Sequence, residues 1–267
     1  MHTHMECIHC IIRQTLSTLN LATNNDRLKK KALAEVLSYL AHLDYKLSPP
    51  QHGKFIYDII HRITGNYDPY ASLKTAYNQA VLAAYDDVKN MVRQQANPLK
   101  AAAKLAAAGN IIDFGPSDNK PRIEAIVNEL QEEWGIDDSD QFVRELAPAR
   151  DVLYLADNAG EIVFDRLFIE IMRETFPREK MNFTVVVRGA PVINDATMED
   201  ARQVGLTEVA RVIGNGDSTP GTVLSAVSDE VRRLMKRADL VIAKGMGNFE
   251  TLTDVQRNIY FLLRIKC

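Results

Sequence analysis

The chain has 267 residues, 46% of them hydrophobic and 25% charged, with a formal net charge of -3. That composition suits a globular protein able to bury a sizeable core, in one large domain or two unequal ones, and it gives no electrostatic reason to expect nucleic acid or an acidic membrane as partner. No apolar run reaches the roughly 20 residues that span a bilayer, and the N-terminus lacks the basic start and apolar core of a signal peptide, so a cytoplasmic location is expected.

In chain order, residues 1–97 read as a helical subdomain or cap. Ile8, Ile11, Ile12, Leu16 and Leu19 recur at helical spacing over 7–21, and Leu28, Ala32, Leu33, Val36, Leu37 and Leu40 form one stripe over 27–43. Pro49-Pro50 is expected to break the chain before a helical pattern resumes over 54–64. Gly65-Asn66-Tyr67-Asp68-Pro69-Tyr70 is a turn by composition, and 71–95, without Gly or Pro, reads as one long helix. On the first helix Cys7-Ile8-His9-Cys10, preceded by His2 and His4, is by spacing an incomplete zinc site. Two half-buried thiols and a frayed terminus explain the same residues.

Residues 98–267 read differently, as an α/β domain. An Ala-rich helix over 99–108 ends at Gly109-Asn110, before Ile111-Ile112-Asp113-Phe114-Gly115. Strand-like runs at 152–156, 183–187, 211–213 and 240–243 then alternate with helical patterns at 162–175, 198–204 and 222–236, and 258–267 offers a further strand. Such alternation predicts βα units and a parallel sheet, with ligands at the carboxyl ends of the strands. Strand order is not readable. All six histidines lie within the first 61 residues, so a reaction centre in the second half has no local His, and oxygen ligands there favour a hard divalent cation over zinc.

Three strand ends carry the chemistry. Asp157 and Asn158 follow the first, and Glu161 begins the next helix. An N-cap would explain one of these groups, whereas a Mg²⁺ or Mn²⁺ site needs several. Arg188-Gly189-Ala190-Pro191-Val192-Ile193-Asn194-Asp195 follows the second; Asp195 is a helix cap or a third oxygen ligand, and Arg188 is a structural ion-pair partner or a phosphate contact. Lys244-Gly245-Met246-Gly247-Asn248 follows the third. A Lys in a glycine-rich turn suits phosphate, but the P-loop spacing is absent. The loop 214–222 is also glycine-rich and reads as a plain connection and cap.

These motifs resemble the metal-dependent damage-control phosphatases, long catalogued as a domain family of unknown function. The resemblance rests on Asp157-Asn158-Ala159-Gly160-Glu161, on 188–197 and on 244–250, together with Gly109-Asn110-Ile111-Ile112-Asp113-Phe114 and, in the helical part, 65–70 with Lys74 and Asn78. The Cys-x-x-Cys points to the prokaryotic-type branch. The family's pattern continues beyond Lys266-Cys267, so its last element is expected to be missing here. The resemblance implies an α/β/α sandwich with a mostly parallel Rossmann-like sheet and a packed helical region. It implies a cation (Mn²⁺, Co²⁺, Ni²⁺ or Mg²⁺) on Asp157, Asn158 and Asp195, and a small phosphorylated metabolite as substrate. Arg188, Lys244 and Asn248 would contact phosphate or sugar, with Asn110 and Asp113 near the same pocket.

The expected reaction is hydrolysis of a phosphomonoester, with Lys244 and Arg188 stabilising phosphoryl charge. Glu161 and Asp195 are both candidates for the base, Glu161 more as a water-handling group than a ligand. The Asp-x-Asp nucleophile of haloacid dehalogenase phosphatases is absent, as is a glycine-rich S-adenosylmethionine fingerprint. The alternative is a non-catalytic module that binds a phosphorylated metabolite, which explains the glycine loops and Lys244 but not three hard oxygen ligands. Natural substrate, physiological metal and oligomeric state are not written in the chain.

Overall fold

A computed structural model describes residues 1–108, 128, 130–177 and 181–266. Helices α1 (Met5–Ala22), α2 (Asp26–Leu40) and α3 (Pro49–Thr64) pack around Leu19, Ala32, Val36, Ile56 and Ile60. The Asn25 side chain accepts from the N–H groups of Arg27 and Leu28 and so starts α2. Pro49-Pro50 does not interrupt a helix but opens α3, behind a capping box between Ser48 and Gln51. The first helical positions have no intrahelical use for an N–H, so proline is tolerated there.

The expected helix over 71–95 is two, α4 (Ala71–Leu82) and α5 (Tyr85–Arg93). No Gly or Pro marks the break at Ala83-Ala84. It lets Val81, Ala84, Val88 and Val92 all reach the apolar cluster that also covers one face of the sheet. Helices α6 (Pro98–Ala108) and α7 (Ser139–Leu146) follow, then β1 (Asp151–Leu155), α8 (Glu161–Thr175), β2 (Asn182–Val187), α9 (Met198–Gln203), α10 (Leu206–Val209) and β3 (Arg211–Gly214). The chain continues with α11 (Asp229–Arg237), β4 (Leu240–Lys244), α12 (Gly245–Leu252) and β5 (Tyr260–Leu262). The helix expected over 222–236 begins only at Asp229, where the Ser228 hydroxyl accepts from Val231 N–H. Residues 222–228 are held elsewhere: Thr222 Oγ1 donates to Asn248, and Ser228 N–H donates to the Asn215 carbonyl.

The five strands among the described residues are all parallel, in the order β3-β2-β1-β4-β5. Val152, Tyr154, Val185, Val187 and Ile242 face the cluster shared with α6 and α8, whereas Leu153, Leu155, Val186, Val241 and Ala243 face Val231, Met235 and Leu252. The fold is therefore an α/β/α sandwich, with apolar residues on both sides of each inner strand. The chain runs outward from β1 to β3, then crosses to β4 on the other side of β1. The point where strand order reverses, between the carboxyl ends of β1 and β4, is where such sheets bind ligands. No described helix is long and apolar enough to cross a membrane.

Candidate active site

The loop after β1 and the loop after β2 are joined by main chain. Ala159 N–H donates to the Asn194 carbonyl (2.9 Å), and Ala196 N–H donates to the Asp157 carbonyl (2.8 Å). An antiparallel bridge between Asn158 and Asp195 lies between these bonds. Asp157, Asn158 and Asp195 thus meet although 38 positions separate the first from the last. Asn158 Nδ2 donates to Asp157 Oδ2 (2.8 Å) and Glu161 Oε1 (2.9 Å), which leaves its Oδ1 on the opposite branch of the amide. Ile193, two residues before Asp195, has φ 44°. For a β-branched residue that is a costly conformation, of a kind that clusters at functional sites.

Two buried cations stand among these carboxylates. Arg188 Nε donates to Asp195 Oδ2 (2.6 Å), and Nη2 lies 3.7 Å from Asp157 Oδ1. Its Nη1 and Nη2 are buried with no hydrogen-bond partner among the described residues. Lys244 is wholly buried and donates to Asp165 Oδ1 (2.9 Å) and Glu161 Oε2 (3.2 Å), while Tyr154 Oη donates to the same Asp165 oxygen (2.7 Å). Burial, then Asp195 and Glu161, hold the Asp157 carboxyl well above the ordinary carboxylate range. Burial also raises Asp195 against the pull of Arg188, and raises Asp165 against that of Lys244. Burial opposes the Lys244 charge, but Asp165 and Glu161 outweigh it and its pKa stands above the usual lysine value.

Four carboxyl groups (Asp157, Glu161, Asp165 and Asp195) therefore face two cations; fully ionised they would carry an excess of two negative charges, which is why burial and mutual repulsion raise three of them. That excess matches one divalent cation, and two Asp and one Asn are hard oxygen donors of the type Mg²⁺ and Mn²⁺ take. Among the described residues no trio of His, Cys, Asp and Glu is placed to hold a metal, so an amide oxygen would have to be one of the ligands. Helices α8 and α12 start at this place, at Glu161 and Gly245, and turn their N-terminal dipoles toward it. Gly245 has φ 77°, and a Cβ there would lie 1.8 Å from Asp157 Oδ2; only glycine lets that carboxylate lie against the start of α12.

Of the other residues singled out in the sequence, Glu161 is buried at the first position of α8. Asn248 is buried with its polar groups engaged: Nδ2 donates to the carbonyls of Ala156 (3.2 Å) and Lys244 (2.8 Å), and Oδ1 accepts from Thr222. It ties α12 to β1. Asn110 and Asp113 lie outside the described residues. Cys7 and Cys10 are free thiols on α1. Sequence reasoning passed over Asp165, a carboxylate on the apolar side of α8 with Ile162 and Phe164 beside it, and that misplaced charge was the available signal. It also passed over Asp200. Asn78 joins that residue to the site: its Oδ1 accepts from Gly160 N–H (2.7 Å), and its Nδ2 donates to Asp200 Oδ1 (3.0 Å) and Gln203 Oε1 (2.8 Å).

Comparison with known proteins agrees with this architecture. The family model of the damage-control phosphatase ARMT1-like domain matches residues 3–267. The chain is similar to the damage-control phosphatase PH1575 of Pyrococcus horikoshii, 33% identical over 100% of this chain and 92% of that protein. It is equally similar to a damage-control phosphatase of Archaeoglobus fulgidus, 33% identical over 98% of this chain and 91% of the relative. The crystal structure of a DUF89 family protein, PH1575 of P. horikoshii, superposes with a TM-score of 0.92 at 32% identity, covering 100% of this chain and 93% of that one.

Proposed function

This chain belongs to the damage-control phosphatase ARMT1-like domain family, and we propose that it is a divalent-metal-dependent phosphatase. Its substrates in this reading are phosphomonoesters of small metabolites, either sugar phosphates or damaged or surplus cofactor precursors. One observation carries the proposal: buried carboxyl groups outnumber the cations among them by two, beside a buried guanidinium whose two terminal nitrogens have no hydrogen-bond partner among the described residues. The first suits a divalent cation and the second the oxygens of a phosphate, and a phosphate ester on a metal asks for both side by side.

Asp157, Asn158 and Asp195 would hold the cation, which when bound would supply charge at a phosphoryl oxygen and acidity to an attacking water. Arg188 binds two phosphoryl oxygens through Nη1 and Nη2, and its Nε bond to Asp195 sets the plane of the fork beforehand. The N-termini of α8 and α12 add partial positive charge at the same end of the sheet. Lys244 lies behind the anion, where it lends charge and holds the Glu161 carboxylate. Glu161 or Asp195 takes the proton of the water. Asn248 contributes by fixing α12 against β1.

Hydrolysis of p-nitrophenyl phosphate that a chelator abolishes and Mn²⁺, Co²⁺ or Ni²⁺ restores is the expected result. Asp157→Ala should lose both turnover and Mn²⁺ binding while its far-UV circular dichroism stays that of the wild type. Full activity in that variant would sink the site. Metal-dependent phosphate binding with no hydrolysis of any ester in a panel of phosphorylated sugars and cofactor fragments would turn the reading into that of a binding module.

A further inference from the structure

The glycine-rich loop 214–222, which reads in sequence as a plain connection, has no part in the mechanism above. Its first side chain nevertheless binds the residue that follows Arg188. Asn215 is wholly buried, and its Oδ1 accepts two main-chain N–H donors, from Gly189 (2.8 Å) and Asp217 (2.9 Å). Two donors on one oxygen settle which branch of the amide is which. Nδ2 therefore points the other way, and it is buried with no hydrogen-bond partner among the described residues. Buried amide donors are seldom left so.

Strand alternation tells where Asn215 stands. Leu155, Val186, Ile213 and Ala243 share one face of the sheet. Two residues on, past the carboxyl ends, the same face carries Asp157, Arg188, Asn215 and Gly245. Contacts bear out that row: Arg188 Nη2 lies 3.7 Å from Asp157 Oδ1, Gly189 N–H is bound to Asn215 Oδ1, and the missing Cβ of Gly245 would meet Asp157. Asn215 is thus the neighbour of Arg188 on the side away from Asp157.

We propose that Asn215 is a substrate-binding residue whose Nδ2 donates to the phosphoryl group of the ester, extending the Arg188 fork from two donors to three. This rests on the phosphatase reading above. An amide adds a donor without altering the charge balance that suits the cation. With Oδ1 held by two main-chain bonds, and with the loop packed so closely that a Cβ on Gly189 would lie 2.6 Å from Gly216 N, the donor has little freedom to lose on binding.

The test titrates inorganic phosphate, in saturating Mn²⁺, into the wild type, Asn215→Asp and Asn215→Ala. Mn²⁺ affinity and Tm are read on the same samples. Asn215→Asp keeps Oδ1 and exchanges the donor for an acceptor; Asn215→Ala removes both. Phosphate affinity is expected to fall at least tenfold in both, most in Asn215→Asp, with Mn²⁺ affinity within threefold of wild type. Wild-type phosphate affinity in Asn215→Ala overturns the assignment, since a loss in Asn215→Asp alone is then only charge repulsion. Wild-type affinity in Asn215→Asp also overturns it, because the amide then serves the loop and not the ligand. No phosphate binding by the wild type overturns the phosphatase reading itself.

Discussion

At the scale of single residues, the site is a set of charges that the fold holds in a costly arrangement. Asp157 is crowded by Asp195 and Glu161 and is kept close to them by a glycine that cannot be replaced without displacing it. Gly245→Ala is therefore expected to fail twice, through a backbone at φ 77° and through the clash with the Asp157 carboxylate. We expect about 1–3 kcal/mol lost in urea denaturation and a large fall in Mn²⁺-dependent turnover. A variant with wild-type turnover would show that Asp157 need not lie against α12. Asp157-Asn158, Arg188 and Lys244 stood out in the sequence because charged or amide side chains at the ends of apolar strands need a reason; Asp195, eight residues past β2, was joined to them by the motif it ends. Asp165 and Asn215 were passed over. The first left a signal, a carboxylate on the apolar side of its helix; the second lies in a loop of common composition, where only burial shows that it must have a partner.

Elements place those residues. Helix α4, far from the site in sequence, reaches the loop after β1 through Asn78 and the helix that follows the β2 loop through Asn78 and Lys74. Lys74 pairs with Asp68 (2.8 Å) and Asp200 (3.5 Å), and Asp200 caps α9 through Thr197. Asn78→Ala would leave Gly160 N–H and Asp200 short of a partner, at a cost of about 1–3 kcal/mol per buried group. The expected phenotype is a lower Tm and weaker Mn²⁺ activation, with KM for the ester at saturating Mn²⁺ near wild type; a change in KM alone would refute it. Helix α12 offers a pH test. Burial raises the Glu250 carboxyl to about 7, with the N-terminal amine opposing. The unfolded chain ionises it at an ordinary value of about 4.3, so between the two the native state holds the extra proton and stability falls as pH rises. Glu250→Gln should flatten the decline in Tm between pH 5 and pH 8. An identical pH profile in the two proteins would count against it.

For the whole molecule, the sandwich explains why the site is where it is. Strand order reverses at β1, which sets the loops after β1, β2 and β4 side by side at one end of the sheet, and α3 is tied to the loop after β3 through Lys54, which lies 3.1 Å from Asp217 Oδ1 and donates to Ser218 Oγ (2.7 Å). A cation bound only by the folded chain should stabilise the whole, by about 2.7 kcal/mol at a hundred times its Kd. Tm should rise with added Mn²⁺ and fall back with chelator, and a Tm indifferent to both would argue against a site built by the fold. The sequence by itself determined the α/β class, the strands β1 to β4 within a residue or two at each end, and the polar groups that stand after three of them, because alternation and strand-end polarity are local patterns. The strand order, the division of 71–95 into two helices, the late start of α11 and the union of Asp157 with Asp195 were decided by tertiary structure alone. Each depends on which apolar faces find one another across the sheet, and no window of sequence contains both partners of such a contact.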